Sequence, residues 1–139
     1  MRNLFALCLM AILLSACPQV PTQPSGFQLG ESIMIGMDET VSIPSANLRL
    51  RLTDVKESRC PKNTNCMRAG EAKVMMEVIE IDAVKEINLE AKGMCYDESG
   101  KCGNSAKAFN KSIQLLYVYP YPTDGDKGDR NYQVKVIVK

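Results

Sequence analysis

From Phe27 to Lys139 the chain is written largely in alternation. Asn47 to Val55 puts Leu48, Leu50 and Leu52 on one face and Arg49, Arg51 and Thr53 on the other. That period of two is what a half-buried strand requires. Gly70 opens the longest such run, Glu71 to Ile81, in which Ala72, Val74, Met76 and Val78 alternate with Lys73, Met75, Glu77 and Ile79. Asp82-Ala83 reads as a tight turn, and Lys85 to Lys92 alternates again through Ile87 and Leu89. Tyr132 to Val138 sets Tyr132, Val134, Val136 and Val138 against Gln133, Lys135 and Ile137. Glu31 to Met37, Thr40 to Ile43 and Ser112 to Tyr119 complete the set, and Thr40 to Ile43 is expected to pair with the first of these across a turn at Met37, Asp38 and Glu39. The segment 105–111 (SAKAFNK) reads as one helical turn, and no amphipathic stretch reaches three. Residues 71–91 are rich in Glu, Lys, Met and Ala, but the period of two and the Val and Ile content favour a hairpin. About seven half-buried strands predict an all-β domain, a single antiparallel β-sandwich or small barrel.

The segment before Phe27 follows a different logic. Arg2 precedes an apolar run from Leu4 to Leu14, long enough for the core of a secretory signal and too short to span a bilayer. Leu14-Ser15-Ala16-Cys17 then resembles the lipobox of bacterial lipoprotein precursors. The resemblance implies that 1–16 is a signal peptide, cleaved after Ala16, with Cys17 becoming a lipidated N-terminus. Residues 17–26 would be the lipidated cysteine and a proline-rich tether (PQVPTQPSG), and residues 27–139 the β domain. Lipid chains on Cys17 would hold the protein on a membrane without a spanning helix. Pro18 stands where an aspartate retains enterobacterial lipoproteins at the inner membrane, so the expected location is the outer membrane, facing the periplasm.

Charge adds little. The chain has 17 basic and 16 acidic residues and no histidine. No basic run marks a nucleic-acid partner. The missing histidine removes Ser-His and Cys-His nucleophilic catalysis and most transition-metal sites.

Cys8 falls in the signal and Cys17 at the lipobox, leaving Cys60, Cys66, Cys95 and Cys102. In an exported chain an even set reads as disulfides. Three pairings exist, and the local one, Cys60 with Cys66 and Cys95 with Cys102, is expected. Both intervals are short and loop-like (CPKNTNC and CYDESGKC). Each small ring would contribute roughly 2–2.5 kcal/mol by loop entropy. A structural zinc site is the weaker reading, because the gaps of five and six residues exceed the usual ligand spacing. There is no C-x-x-C redox pair.

The stretch SRCPKNTNCMRAGEAKV resembles a motif of small exported bacterial proteins of unassigned function: Ser-Arg-Cys-Pro, four residues, Cys, three residues, Gly, one residue, Ala, then an apolar strand. The matching positions are Ser58, Arg59, Cys60, Pro61, Cys66, Gly70 and Ala72. Such proteins often carry a late strand ending in Pro-Tyr-Pro, matched by Pro120, Tyr121 and Pro122. They tend to place an aromatic near position 68, where this chain has Arg68. The resemblance implies a compact β fold and a 60–66 disulfide, and brings no activity.

Candidate chemistry is sparse. Lys62, Asn63, Thr64 and Asn65 lie inside the first ring and are expected to be exposed, free to contact a partner. Tyr117, Tyr119 and Tyr121 share one face of a strand, as core or as a binding ridge; core is favoured because the chain has few other aromatics. Asp124, Asp126 and Asp129 loosely resemble a calcium loop but miss its ligand spacing, so a hairpin loop is the reading. Met34 and Met37 have thioethers suited to Cu(I), yet an i, i+3 pair on a strand points to opposite faces. Glu77 with Glu80, and Asp97 with Glu98, read as solvated charges rather than a catalytic pair. No catalytic residue, metal or cofactor is therefore expected. The predicted function is a non-catalytic binding or inhibitor module of the cell envelope, with an envelope protein as its partner. The alternative is a structural or assembly accessory of the envelope without a specific ligand site.

Overall fold

A computed structural model of the protein describes residues 26–125 and 130–139. Eight strands follow in order: β1 (Ser32–Gly36), β2 (Thr40–Ile43), β3 (Leu48–Glu57), β4 (Glu71–Glu80), β5 (Ala83–Lys92), β6 (Ser105–Ala108), β7 (Lys111–Tyr119) and β8 (Gln133–Val138), with one 3₁₀ turn at Pro44–Ala46. They form two antiparallel four-stranded sheets, β1-β8-β7-β6 and β2-β3-β4-β5, packed as a sandwich. The core is the set of alternating apolar positions, among them Leu48, Leu50 and Leu52 on β3, Val74, Met76 and Val78 on β4, and Val134, Val136 and Val138 on β8. The all-β prediction holds, and the alternating runs account for most of the strands.

Two expectations are corrected. β1 does not pair with β2. It pairs with β8, while β2 pairs with β3. The intervening Met37-Asp38 segment crosses between the sheets, Met37 N donating to the Tyr132 carbonyl (3.2 Å) and Asp38 N to that of Leu52 (2.9 Å). Residues 105–108 are a strand rather than a helical turn. They pair with β7 in the register Ser105↔Gln114 to Ala108↔Lys111. Phe109 and Asn110 both take positive φ, which suits a two-residue hairpin turn and not a helix.

Two irregularities decide which residues reach the functional end. Thr53 is an extra residue in β3, so the register shifts between Leu52 and Asp54. Val55 and Glu57 are thereby placed opposite Val74 and Ala72, which are themselves fully buried. Leu116 is likewise extra in β7. Before it, Ile113 and Leu115 point inward; after it, Val118 does, opposite Val134. Tyr117 and Tyr119 are therefore turned to the outer face of their sheet.

Candidate functional site: the disulfide-stapled tyrosine end

Both disulfides form locally, Cys60–Cys66 and Cys95–Cys102, with Cα separations of 5.9 and 6.1 Å. Both loops lie at the same end of the sandwich, where β3 leaves, β4 starts and β5 finishes. Gly93 N donates to the Gly70 carbonyl at 2.9 Å and so ties them together. A Cβ at Gly93 would strike the Ala69 carbonyl, so the two backbones meet where only glycine fits.

The 58–72 stretch is a structural knot. Ser58 Oγ donates to the Glu71 carbonyl at 2.7 Å and accepts from Glu71 N at 3.2 Å. Cys60 N donates to Ala69 O at 2.8 Å. Gly70 sits at φ +66° with Ser58 O where a Cβ would be, and Ala72 is fully buried. Arg59 is the centre of the knot, with only 4% of its surface exposed. Its Nε donates to both carboxylate oxygens of Glu57 (2.9 and 3.0 Å), and Nη2 closes the fork on the same carboxylate. Its Nη1 and Nη2 reach the carbonyls of Val118 (3.2 Å) and Pro120 (3.3 Å), at the end of β7. The guanidinium lies over the rings of Tyr121 and Tyr117, at 4.5 and 6.0 Å. A buried cation with a carboxylate, two carbonyls and two aromatic faces around it is well compensated. It ties the Ser-Arg-Cys-Pro segment to the Tyr119–Pro120–Tyr121 turn, whose Tyr119–Pro120 bond is cis.

The second disulfide loop lies across the outer face of the β1-β8-β7-β6 sheet. A Cβ on Gly100 would touch the side chains of Leu116 and Gln114, and Glu98 pairs with Lys135 at 2.6 Å. Tyr96 meets Tyr121 edge-on at 4.9 Å between centroids, and Tyr117 stands 4.6 Å from Tyr119. Met94 N donates to Tyr121 Oη at 2.8 Å. The result is a second, aromatic cluster outside the main core. Tyr117 and Tyr121 are buried in it, and Tyr119 is half-buried. Burial raises the pKa of both buried phenols; Arg59 opposes the shift at each, and Met94 N–H does so at Tyr121. The three tyrosines thus gather in one cluster, as their spacing suggested, but on the outer face of the sheet rather than in the core.

The 62–65 loop is more structured than expected. Lys62, Asn63 and Asn65 are exposed and Thr64 is half-buried. Lys62 N donates to the Pro122 carbonyl (2.9 Å), and its ammonium lies 5.4 Å from the Tyr96 ring and 5.7 Å from that of Tyr121. The Thr64 hydroxyl turns back onto the Pro61 carbonyl, and Asn63 takes φ +64°. Beside this loop Met67 is fully exposed, Met94 is 49% exposed and Tyr96 53%. An apolar rim with Lys62 at its side therefore crowns two stapled loops. A cleft of about 340 Å³, lined in part by Glu57, Arg59, Pro122 and Tyr132, opens at the same end.

The other candidates do not converge. Glu77 pairs with Arg51, Asp97 accepts from Ser99 N (2.9 Å), and Glu98 pairs with Lys135. Met34 is exposed while Met37 packs against the core. Asp124 is exposed, and Asp126 and Asp129 lie outside the described residues, as does Cys17 with the signal and most of the tether. Among the described residues no three or more Cys, Asp or Glu side chains gather as a metal site, and no helix is long and apolar enough to cross a membrane. Arg59 was marked in the sequence only as a motif position, and Glu57 and Tyr96 carried no signal of their own. An arginine two residues from a glutamate is ordinary on a surface; here the Thr53 bulge sets Glu57 opposite the buried Ala72, and the Val118 and Pro120 carbonyls close on Arg59. Compared with protein-family models, with curated proteins and with solved structures, the chain matches none.

Proposed function

We propose that the protein is an exported lipoprotein, anchored through Cys17 to the outer membrane, whose β domain is a non-catalytic binding or inhibitor module. The partner is an envelope protein, met by the tyrosine end. The observation carrying this reading is the exposed rim of Met67, Met94 and Tyr96, with Lys62 beside it, on loops fixed by two disulfides and the Arg59 knot. Apolar side chains held outward on rigid loops lose little entropy on docking, and aromatic and methionine side chains are enriched at protein interfaces.

The test uses the lipidated full chain, solubilised from its envelope with detergent and captured by an affinity tag. A single stoichiometric protein should co-purify with wild type and be lost from Tyr96→Ser and from Met94→Ser, both folded. Retention of that protein by both variants would remove the rim as the docking surface. A diffuse set of weak contacts would favour the accessory reading. Palmitate labelling that survives Cys17→Ser would refute the anchor.

A further inference from the structure

The geometry points to a second contact surface at the opposite end of the domain, and to a lipid bilayer as its occupant. The inference rests on the proposed anchor at Cys17.

The chain comes into the domain at one defined place. Gly26 packs on Pro44 so closely that a Cβ would collide with the ring, and Phe27 N donates to Ser42 O at 3.2 Å. The tether therefore joins the end that holds the Pro44–Ala46 turn and the β4–β5 hairpin tip. β3 runs from that end to the disulfide end, between Leu48 and Glu57. From Cys17 to Gly26 the chain makes as many residue-to-residue steps as β3 does. A strand is already close to the fullest extension a chain can reach, so a taut tether is about as long as β3 and no longer. Turning the tyrosine end to the bilayer would require the tether to run straight along the whole length of the domain. The tether end is the one that faces the membrane.

That end carries exposed apolar side chains. Ile81 is 70% exposed at the tip of the β4–β5 hairpin, and Val84, opposite Ile79 on the outer face, is 59% exposed. Leu29 is also exposed, on the loop whose backbone donates to Ser45 Oγ. Ile81 is further distinguished by its backbone, with φ at +55°. A branched side chain is disfavoured there, and glycine, asparagine or aspartate would serve the turn better. Strain kept at an exposed position points to use of the side chain itself. A short apolar knob at a domain end tethered within reach of a bilayer suits the boundary between headgroups and acyl chains. Lys85, next to Val84, can keep its ammonium at the headgroup level. Arg49, whose Nη2 donates to the Ile81 carbonyl (3.5 Å), and Lys85 are offset by Asp82 and Glu80, so the contact is apolar in origin.

The chain has no tryptophan, so single-tryptophan variants report position without background. Full-length lipidated Ile81→Trp, Val84→Trp and Tyr96→Trp are each reconstituted into phosphatidylcholine vesicles containing brominated lipid, after flotation confirms anchoring. Emission from Ile81→Trp and Val84→Trp should be quenched at least about threefold more than from Tyr96→Trp, as expected for side chains at the acyl boundary. Val84→Trp keeps the test valid if the hairpin tip tolerates no substitution. Anchored protein with equal quenching at both ends, or stronger quenching at Tyr96→Trp, overturns the orientation and leaves the anchor standing. Protein that fails to float with vesicles refutes the anchor, and this inference with it.

Discussion

The guanidinium of Arg59 lies 4.5 Å from the centre of the Tyr121 ring while its fork is closed on Glu57. One side chain thereby joins the end of β3 to the last residues of β7 and the cis-proline turn that follows, whose Tyr117 and Tyr121 rings it faces. Arg59→Ala should destabilise the fold by about 3–5 kcal/mol, because it leaves the Glu57 carboxylate buried without its partner. Arg59→Lys should recover little of this, since an ammonium cannot span the carboxylate and two carbonyls as a planar fork does. Urea midpoints at constant m-value measure both.

The two disulfides should differ in what they hold. Cys60→Ser with Cys66→Ser should cost roughly 2 kcal/mol, the loop-entropy contribution of a small ring. Cys95→Ser with Cys102→Ser should cost more, about 3 kcal/mol, because the loop over the sheet also carries the Tyr96 edge contact to Tyr121. Only the second pair should change the near-ultraviolet dichroism of the tyrosines. An unchanged signal there would mean that the loop stays in place without its staple.

The buried phenols make a prediction about alkali. Tyr117 and Tyr121 have pKa values raised above the ordinary 10.0, chiefly by burial. The folded protein therefore holds these protons more tightly than the unfolded chain. Their contribution is fully present below the unfolded value and is lost as pH climbs through the raised folded values. Stability should fall with pH in that alkaline range, and Tyr117→Phe combined with Tyr121→Phe should flatten the fall. Thermal unfolding followed from neutral pH into alkali reads the slope.

Ile81→Asn should stabilise the protein in solution by about 1 kcal/mol, because asparagine accepts the positive φ that a branched residue resists. Most surface substitutions lie within about half a kcal/mol of zero, so a gain of that size is measurable by thermal or urea unfolding. A loss of stability would show that the Ile81 side chain is needed by the fold itself.

The main core was legible because it is written in a period of two. Leu48, Leu50 and Leu52, or Val134, Val136 and Val138, need no tertiary information to be assigned to one face. The disulfides were legible because short polar intervals leave cysteines few alternatives. Sheet partnership was less so: β1 and β2 are adjacent in sequence and lie in different sheets, and nothing in ESIMIGMDETVSI says that Met37 crosses over. β6 escaped because four residues, only one of them fully buried, carry too little alternation to outweigh a helix-prone composition. The tyrosine end was half legible. A common face for Tyr117, Tyr119 and Tyr121 follows from spacing, but which face depends on Leu116. Arg59 had no signal beyond its place in the motif, because its burial is created by Glu57, Val118 and Pro120 converging on it.

The extra residue at Leu116 lets a single strand serve two clusters, its first half feeding the main core and its second half the tyrosines. Were Leu116 instead paired in the ladder, the second half would invert, turning Tyr117 and Tyr119 toward a main core that has no room for phenol rings and expelling Val118 from it. The outer cluster thus depends on Leu116 staying outside the ladder as much as on its tyrosines. A related chain that retained every tyrosine but lacked that one position would align here with a single-residue gap and still turn Tyr117 and Tyr119 outward, because Tyr117 would follow Leu115 in unbroken register. A residue added to β8 between Lys135 and Val136, with every tyrosine unchanged, would instead mark the loss of the tyrosine end.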